Sequence, residues 1–416
     1  MIEHLLTDAQ KKIVEDARAF VRDTPRQLIL DMDAETVRFP KDWLREAARR
    51  NLLGVRHPKQ WGGRGMDWVT ASAVCEEIGS LSYELACVFG VGADLVCDAI
   101  LRHGTDAQRE RYVKPLLAGE IFAAECLTEP RGGSDFFGAT TTAKDCGDHF
   151  LLNGQKRFIV GAEGADYFLV YARTNPDPKA PPQQSITCFI VDRGPGVETK
   201  YLYGLMGCRG GGTGRLVFRD VKVPRENVVG EVHGAYPVFN TMMIPERLGT
   251  AAMTVGAARP ALDVATQYSS RRKAFGQVIN RFQGVSFQVA EAATLLDASR
   301  AMVYATSRAA DEVADMDRVR RLISETKKFV TESCQKVVHN AMQVAGGIGY
   351  TNVLPLERIY RDIRLASIWT GTNEVMAMIV AHEWYREHGK HKAAKLARDY
   401  ARDAAEADAA DEIIYE

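Results

Sequence analysis

The chain has 416 residues, of which 46% are hydrophobic and 26% are charged, and its formal net charge is −1. This length allows two or three domains with sizeable cores, and the composition is typical of globular proteins. The balanced charge excludes a global field that would attract nucleic acid or an anionic membrane. No apolar stretch reaches the length of a membrane span, so we expect no membrane insertion.

The cysteines and histidines show no metal-binding pattern. The eight cysteines are scattered without a CxxC pair, and the nine histidines form no HExxH motif. This spacing indicates reduced thiols rather than a zinc site or a disulfide framework. The sequence therefore predicts a cytoplasmic protein with no metal site.

Residues 1–120 have the pattern of a helical domain. In TDAQKKIVEDARAFVRD, Thr7 and Gln10 stand at capping-box spacing before apolar residues at helical intervals. In FPKDWLREAARRNLLG, Pro40 lies near a helix start and Gly54 lies just past its end.

From residue 121 to residue 232 the pattern changes to short β-prone runs. HFLLNGQKRFIV contains two such runs around Asn153 and Gly154, a pair that favours a β-hairpin. DYFLVYAR, SITCFIVDR and RLVFRDVKV follow, separated by turns rich in proline and glycine. These runs predict a middle β domain.

Long helical periodicity returns over residues 233–388, and residues 389–416 form an alanine-rich, charged tail. The tail is either an exposed helix or a frayed terminus. The order of helices, sheet and helices predicts a cleft between the layers.

One run in the last helical part poses a chemical question. MMIPERLGTAAMTVGAA, residues 242–258, is mostly apolar and small but carries Glu246 and Arg247. Burying a lone carboxylate costs several kcal/mol or raises its pKa. From this run alone, the two charges could equally lie on a solvated helix face or pair with other charges.

Two glycine-rich segments could line the cleft. CLTEPRGGSDFFG (126–138) offers hydroxyl groups and backbone N–H groups, and QVAGGIGY (343–350) ends a helix with closely spaced glycines. Each segment alone could equally be a turn. Neither matches a Rossmann or Walker motif, so a nicotinamide or nucleoside-triphosphate site gains little support.

Taken in chain order, several segments resemble one family, the acyl-CoA dehydrogenases. They are CLTEPRGGSD, GQKRFIV, MGCRGGGTGRLVFRDVKVPRENVVGE, YSSRRKAFGQVINRFQ, QVAGGIGY, RIYRDIR and GTNEVM. The resemblance implies an α+β fold with an N-terminal α-helical domain (1–120), a middle β-barrel-like domain (121–232), a C-terminal four-helix bundle (233–388) and the tail (389–416). It also implies FAD as cofactor and a homotetramer built as a dimer of dimers.

The chemistry that the resemblance implies is oxidation of an acyl-CoA thioester to its 2,3-enoyl-CoA. A carboxylate removes the α-proton while the β-hydrogen leaves as a hydride to the flavin. An electron-transferring flavoprotein, or a similar carrier, would then accept the electrons. The degradation of fatty, aromatic or alicyclic acids is the expected setting.

The position of the catalytic base distinguishes branches of the family. Many members carry a glutamate directly before the GT of the C-terminal motif, where this chain has Thr370, whose hydroxyl cannot do that work. In the isovaleryl and long-chain branches, the base lies on an earlier helix, immediately before an arginine. That position is Glu246, followed by Arg247. The resemblance therefore identifies Glu246 as the expected base.

The resemblance also assigns the remaining site residues. Substrate contacts are expected from Ser134, Arg247, Trp369 and Thr370, with the Thr370 backbone N–H as one oxyanion donor. Cofactor contacts are expected from Glu125, Leu127, Thr128, Gly133, Ser134, Phe158, Val160, Arg272, Phe275, Gln283, Gln343, Val344, Gly346, Gly347, Thr372 and Glu374. Of these, Arg272, Phe275 and Gln283 would hold the FAD of a neighbouring subunit.

One segment departs from the family pattern. The usual Trp-Ile-Thr or Trp-Ile-Ser is Phe158-Ile159-Val160 here, so the hydroxyl that reaches flavin N5 is missing. A hydrogen bond of this kind is worth about 1–3 kcal/mol, so we expect dehydrogenation to survive with a shifted rate or potential.

The acyl group and two rival functions stay open. A base on the earlier helix, with Thr370 opposite it, fits branched, cyclic or aryl-bearing acyl groups as well as straight chains. Ala86 replaces the arginine with which glutaryl-CoA dehydrogenases bind a distal carboxylate, which disfavours a dicarboxylic substrate. The rivals are a flavin-dependent monooxygenase or oxidase and a non-catalytic protein that binds a CoA ligand. Glu246 argues against the first, and the FAD segments argue against the second.

Overall fold

The computed structural model describes residues 2–177 and 179–390, in which helices at both ends of the chain enclose a mixed β-sheet. The charged tail predicted from residue 389 lies, beyond residue 390, outside this described part. Within it, no helix combines the length and the apolarity that crossing a bilayer requires.

The first part of the chain is helical, as predicted. The helices are α1 (Asp8–Asp23), α2 (Arg26–Asp33), α3 (Lys41–Arg49), α4 (Trp68–Leu81), α5 (Tyr83–Gly90), α6 (Cys97–His103), α7 (Asp106–Gln108) and α8 (Lys114–Leu117). A π-helical segment, Val91–Val96, joins α5 to α6 without a break, and a second, Arg109–Val113, joins α7 to α8.

The helix-end signals of this part are confirmed, with one shift. The Thr7 hydroxyl accepts a hydrogen bond from the Gln10 N–H at 3.3 Å, and the Gln10 side chain accepts one from the Thr7 N–H at 2.8 Å. Pro40 directly precedes α3. That helix ends at Arg49, earlier than Gly54 suggests, because Asn51 turns into the left-handed region at φ 54°.

The middle part of the chain forms one eight-stranded sheet. Its strands are β1 (Ala123–Cys126), β2 (Thr142–Asp145), β3 (His149–Ile159), β4 (Tyr167–Arg173), β5 (Ile186–Asp192), β6 (Val197–Leu202), β7 (Gly214–Pro224) and β8 (Val228–Val229). Seven of them follow the order β6-β7-β3-β2-β4-β5-β8, and β1 pairs in parallel with β4.

The hairpin predicted at Asn153 and Gly154 is wrong, because both residues lie inside the single strand β3. Asn153 exchanges side-chain hydrogen bonds with Asp220 of β7, at 3.0 and 2.9 Å. Gly154 has φ 146°, and a Cβ there would lie 2.6 Å from the Thr141 Cα. The glycine therefore permits a close backbone approach at an irregularity of the β3–β7 ladder, and it makes no turn.

The last part is helical again. Its elements are α9 (Ala235–Arg271), β9 (Lys273–Ala274), β10 (Gln277–Val278), α10 (Gln283–Glu312), α11 (Met316–Ala345), α12 (Leu356–Ile363) and α13 (Asn373–Lys390). The four long helices α9, α10, α11 and α13 are those expected of a C-terminal bundle, and the short strands β9 and β10 pair as a hairpin between α9 and α10.

The sheet separates two hydrophobic cores. Along β4, Phe168 and Val170 point into a core formed within the sheet domain, whereas Leu169 and Tyr171 belong to the larger core shared with the helices. This alternation follows from the two-residue period of a strand. The face that carries Leu169 and Tyr171 therefore meets α9.

Small residues explain the apolar run of α9. A Cβ at Gly256 would lie 2.2 Å from the Glu76 carbonyl oxygen of α4, and one at Gly79 of α4 would lie 2.6 Å from the Met253 carbonyl oxygen. The two backbones thus touch through two glycines, which holds α9 firmly against the N-terminal helices.

Candidate active site

Glu246 lies on α9 directly after a proline that interrupts the helix. Pro245 has no N–H, so the Thr241 carbonyl one turn earlier receives no hydrogen bond from it. The Glu246 side chain is half-buried, and its Oε2 atom is fully buried with no hydrogen-bond partner in the described residues. This arrangement is neither a solvated face nor a hydrogen-bonded ion pair, the two alternatives that the sequence left open.

The electrostatics of Glu246 suit proton transfer. Burial raises the pKa of Glu246 to about 7, and the charges of Arg247 and Lys327 oppose the rise. Burial likewise lowers the pKa of Arg247 to about 10, against the effect of Glu246. A carboxyl group that titrates near neutral pH can accept a proton and return it.

Two cations bind the turn that contains Thr370 to this part of α9. Arg247 Nε donates to the Thr370 carbonyl oxygen at 3.2 Å. Lys327 Nζ donates to the Gly371 carbonyl oxygen at 2.8 Å and to Asn373 Oδ1 at 3.0 Å. The structure therefore brings positions 246–247 and 370–371 together from distant parts of the chain.

The turn leaves polar groups of Thr370 unused. Thr370 has φ 58° and Gly371 has φ 85°, a left-handed pair that turns both carbonyls onto the cations. In the described residues the Thr370 N–H donates to no acceptor, and its buried Oγ1 has no partner. An N–H in this position can stabilise negative charge on an oxygen atom.

Trp369 forms a wall beside the same turn. Its ring lies 5.8 Å from the Tyr83 ring of α5, centroid to centroid. Trp369 is half-buried and packs against the larger core, and Tyr83 is fully buried. An aromatic wall thus connects the turn with α5.

Sequence reasoning missed Lys327. Its side chain is fully buried on α11, where burial lowers its pKa to about 8. A signal existed, because Ile323, Val330 and Cys334 place Lys327 within an apolar helical stripe. A charged residue in such a stripe indicates a buried partner.

The first glycine-rich segment is anchored from β3. Lys156 Nζ donates to the Leu127 carbonyl oxygen at 3.1 Å and to Glu129 Oε1 at 2.8 Å, and both side chains of this ion pair are buried. The Arg157 N–H donates to the Thr128 carbonyl oxygen at 2.8 Å. Lys156 and Glu129 were not among the predicted site residues, although both lie in the quoted motifs.

The predicted ligand groups of this segment are accessible. The Thr128 hydroxyl has no hydrogen-bond partner in the described residues, and a Cβ at Gly133 would lie 3.4 Å from the Thr128 side chain. Ser134 is exposed. The segment thus presents free hydroxyl groups and a small-residue surface, which fit a polar ligand such as the flavin ring.

The departure at Phe158 and Val160 is visible in the structure. Phe158 has φ 58°, is 49% exposed, and lies 4.6 Å from the Tyr203 ring. Val160 is half-buried against the larger core and offers no hydroxyl. Aromatic surface therefore stands where the indole is expected, and Val160 itself supplies no hydrogen-bond donor.

A second group of predicted cofactor residues lies around the β9–β10 hairpin and the start of α10. Phe275 is 94% exposed, and Arg272 and Gln283 are also exposed. A Cβ at Gly276 or Gly284 would meet no atom within 4 Å. Among the described residues this surface is uncovered, so a neighbouring subunit has access to it.

The third group lies at the end of α11 and the start of α13. Gln343, Gly346, Gly347 and Glu374 are exposed, Thr372 is half-buried, and Val344 is buried so that only its backbone faces outwards. A Cβ at Gly346 or Gly347 would meet open space. This exposed, glycine-lined surface fits a phosphate-bearing group. For a metal ion, in contrast, residues 2–177 and 179–390 contain no cluster of three histidine, cysteine or acidic side chains.

Family comparisons cover all three parts of the chain. Residues 7–120 match "Acyl-CoA dehydrogenase, N-terminal domain", residues 124–221 match the middle domain, and residues 234–384 match the C-terminal domain. The chain is similar to the caffeyl-CoA reductase-Etf complex subunit CarC of Acetobacterium woodii, with 35% identity over 90% of this chain and 98% of that protein. It is also similar to the 3-(aryl)acrylate reductase of Clostridium sporogenes, with 34% identity over 90% and 98%.

Solved structures that resemble this chain point to the same family as these relatives. Butyryl-CoA dehydrogenase from Megasphaera elsdenii superposes with a TM-score of 0.87 and 30% identity, over 92% of this chain and 99% of that one. The predicted fold, with helical, sheet and helical domains, is confirmed. This chain belongs to the acyl-CoA dehydrogenase family, whose members bind FAD, and it is an oxidoreductase of the CH–CH group.

Proposed function

We propose that this enzyme interconverts a bulky acyl-CoA thioester and its 2,3-enoyl-CoA, with Glu246 as the catalytic base. The observation that carries the proposal is the buried, unpartnered Glu246 Oε2 beside a turn whose Thr370 N–H is also free. An α-proton beside a thioester is only weakly acidic in water. Its removal therefore needs both a base, Glu246, and a hydrogen-bond donor for the thioester oxygen, the Thr370 N–H.

The residues divide the reaction between them. Glu246 accepts the proton when the α-C–H bond breaks, and the Thr370 N–H donates to the thioester oxygen on which negative charge develops. Arg247 and Lys327 hold the turn in place through the carbonyl oxygens of Thr370 and Gly371. In the reverse direction the protonated Glu246 returns the proton.

The residues present fit FAD as the cofactor of this reaction. The Thr128 segment would hold the flavin, and the surface around Gly346 would hold a phosphate-bearing part. Arg272 of a neighbouring subunit would add a charge-assisted hydrogen bond to a phosphate. When bound, FAD supplies the two-electron acceptor for the hydride that leaves the β-carbon.

The acyl group is proposed to be branched, cyclic or aryl-bearing. Gly249 lies one turn after Glu246, and a Cβ there would meet no atom within 4 Å. Stacked rings of Phe136 and Phe239, 4.2 Å apart, and the Trp369 wall give the surroundings an aromatic character. The names of the relatives from Acetobacterium woodii and Clostridium sporogenes, an arylacrylyl-type thioester and an arylacrylate, support the aryl option.

The electron partner, the assembly and the cellular setting are proposed from separate observations. We propose an electron-transferring flavoprotein or a similar carrier as the electron partner, because one relative is named as part of an Etf complex. We propose a homotetramer because Phe329, Trp384 and Tyr385 expose 39–76% of their surface along one groove of the helical bundle. Seven of the eight free cysteines are buried, which supports a reducing, cytoplasmic setting.

An anaerobic titration tests the proposed function. Purified protein should be yellow, and one member of a panel containing butyryl-, isovaleryl-, cyclohexanecarboxyl- and 3-phenylpropionyl-CoA should bleach the flavin band. Free CoA serves as the control and should cause no bleaching. A flavin that no panel member reduces, or that air reoxidises as fast as turnover, would contradict the proposal, and the second result would favour an oxidase.

A further inference from the structure

Glu125 lies on the face of the sheet that meets the helices. Its neighbours in β1, Ala124 and Cys126, point into the core within the sheet domain. Glu125 therefore points the other way, and it pairs with Leu169, whose side chain belongs to the core shared with the helices.

The helical surface opposite Glu125 belongs to α9, the helix that carries the proposed base Glu246. Tyr171, two residues along β4 from Leu169, donates its hydroxyl hydrogen bond to the Met242 sulfur of α9 at 3.7 Å. Glu246 follows Met242 after one helical turn. After burial, the strongest influence on the pKa of Glu125 is the charge of Glu246, and both effects raise it. The charge of Glu246 thus acts on Glu125 from the opposing helix.

One carboxyl oxygen of the half-buried Glu125 has no partner in the described residues. Its Oε1 atom is buried and has no hydrogen-bond partner, like Oε2 of Glu246. The cation that acts on it, Lys156, already donates to Glu129 and to the Leu127 carbonyl oxygen. A buried carboxyl group without a partner is costly and needs an explanation beyond folding.

The protonation state of Glu125 limits which ligand group it can take. Burial and the charge of Glu246 together hold the pKa of Glu125 well above its ordinary value, which favours the neutral acid over the carboxylate. A neutral carboxyl group both donates and accepts a hydrogen bond, as a hydroxyl group does. The neutral carboxyl group of Glu125 therefore matches a hydroxyl group on a ligand. A cationic ligand group would instead need the charged carboxylate form of Glu125.

We propose that Glu125 is a substrate-specificity residue, whose carboxyl group hydrogen-bonds a hydroxyl group carried by the acyl chain. This inference rests on the proposed function, because it places the acyl chain between Glu125 and Glu246. The open space at Gly249 provides room for the chain. The hydroxyl group is either phenolic or aliphatic, and the chemistry of recognition is the same.

The test compares matched pairs of thioesters with and without a hydroxyl group. The pairs are 3-(4-hydroxyphenyl)propionyl- and 3-phenylpropionyl-CoA, 6-hydroxyhexanoyl- and hexanoyl-CoA, and 4-hydroxybutyryl- and butyryl-CoA. 6-Aminohexanoyl-CoA is added as the cationic counterpart of 6-hydroxyhexanoyl-CoA. For the wild type, Glu125→Leu, Glu125→Gln and the control Glu120→Gln, kcat/KM is measured for each pair, together with calorimetric binding of the corresponding enoyl-CoA pairs and flavin content. Glu120 is exposed in the turn before β1.

We expect the wild type and Glu120→Gln to prefer the hydroxylated member of at least one pair by about tenfold or more. Glu125→Leu should lose this preference, and Glu125→Gln, which keeps a donor and an acceptor, should retain part of it. A preference for the phenol identifies an aryl substrate, and a preference for an aliphatic alcohol identifies a hydroxyacyl substrate. Either result supports the proposal.

Three results would overturn it. The first is the same hydroxyl preference in wild type and Glu125→Leu, and the second is a stronger preference for 6-aminohexanoyl-CoA than for 6-hydroxyhexanoyl-CoA. The third is loss of flavin from both Glu125 variants with an unchanged hydroxyl preference, which would make Glu125 a cofactor contact. If the wild type oxidises no thioester, the proposed function fails, and the binding ratios alone then decide the role of Glu125.

Discussion

Replacing Glu246 with glutamine should cost activity and increase stability at the same time. The ordinary pKa of a glutamate is 4.5, and burial raises that of Glu246 to about 7. At about 1.4 kcal/mol per pKa unit, ionising this group in the folded protein costs about 3 kcal/mol more than in the unfolded chain. Glutamine keeps the size of the side chain and removes this cost.

The sign of the pH dependence follows from proton binding. Between pH 4.5 and about 7 the folded chain keeps a proton on Glu246 that the unfolded chain has lost, so wild-type stability falls as the pH rises through this window. Denaturant unfolding should therefore show Glu246→Gln more stable than wild type by about 3 kcal/mol at pH 8.5, and by about 1 kcal/mol or less at pH 5.

The same variant tests the mechanism. In stopped-flow experiments with the best thioester, flavin reduction by Glu246→Gln should be slower by about 10⁴-fold or more, the upper end for a general base, because proton and hydride loss are coupled. Glu120→Gln, which removes an exposed carboxylate, should change neither property. A wild-type rate of reduction in Glu246→Gln would refute the assignment of the base, and a stability gain that is equal at both pH values would refute the buried-charge reasoning.

The remaining predictions concern the groups around the base. The double variant Glu246→Gly with Thr370→Glu should recover part of the activity that Glu246→Gly loses in steady-state assays, with less preference for branched chains. If no activity is recovered, the two positions do not face the same reacting carbon atom. Arg272→Ala should lower the flavin retained on gel filtration, because a phosphate loses its charged partner, and full retention would contradict the interface assignment. Lys327→Met should slow flavin reduction by about tenfold or more, through loss of its 2.8 Å hydrogen bond to Gly371, with flavin content unchanged.

The layer order and the family could be predicted from the sequence, because helical and strand periodicity change sharply near residues 121 and 233 and the motifs are specific. The absence of a hairpin at Asn153 and Gly154 could not be predicted from the sequence. Asn153-Gly154 has turn chemistry, but the pairing with Asp220 and the proximity of Thr141 decide in favour of a continuous strand. Tertiary contacts here outweigh the local preference.

Within the site, the sequence identified Glu125, Glu246 and Thr370 as candidates, but it neither identified Lys327 nor indicated which of these groups meet. Lys327 binds the Thr370 turn from 44 residues away in the chain, and the charge of Glu246 raises the pKa of Glu125 from a distant part of the chain. Periodicity reports which face of an element is buried, and it does not report which buried faces meet. That information comes only from the packed structure.

The helix α9 carries Glu246 and leads directly to Arg272 at its C-terminal cap. Glu246 and Arg272 are separated by 26 residues of one helix and its C-terminal cap, about 39 Å at 1.5 Å per residue. The helix therefore fixes the distance between the proposed base Glu246 and the surface where a second subunit would sit. Inserting one residue into it would shift one end by about 1.5 Å and rotate it by about 100° relative to the other. Catalytic alignment and quaternary assembly would then be lost together.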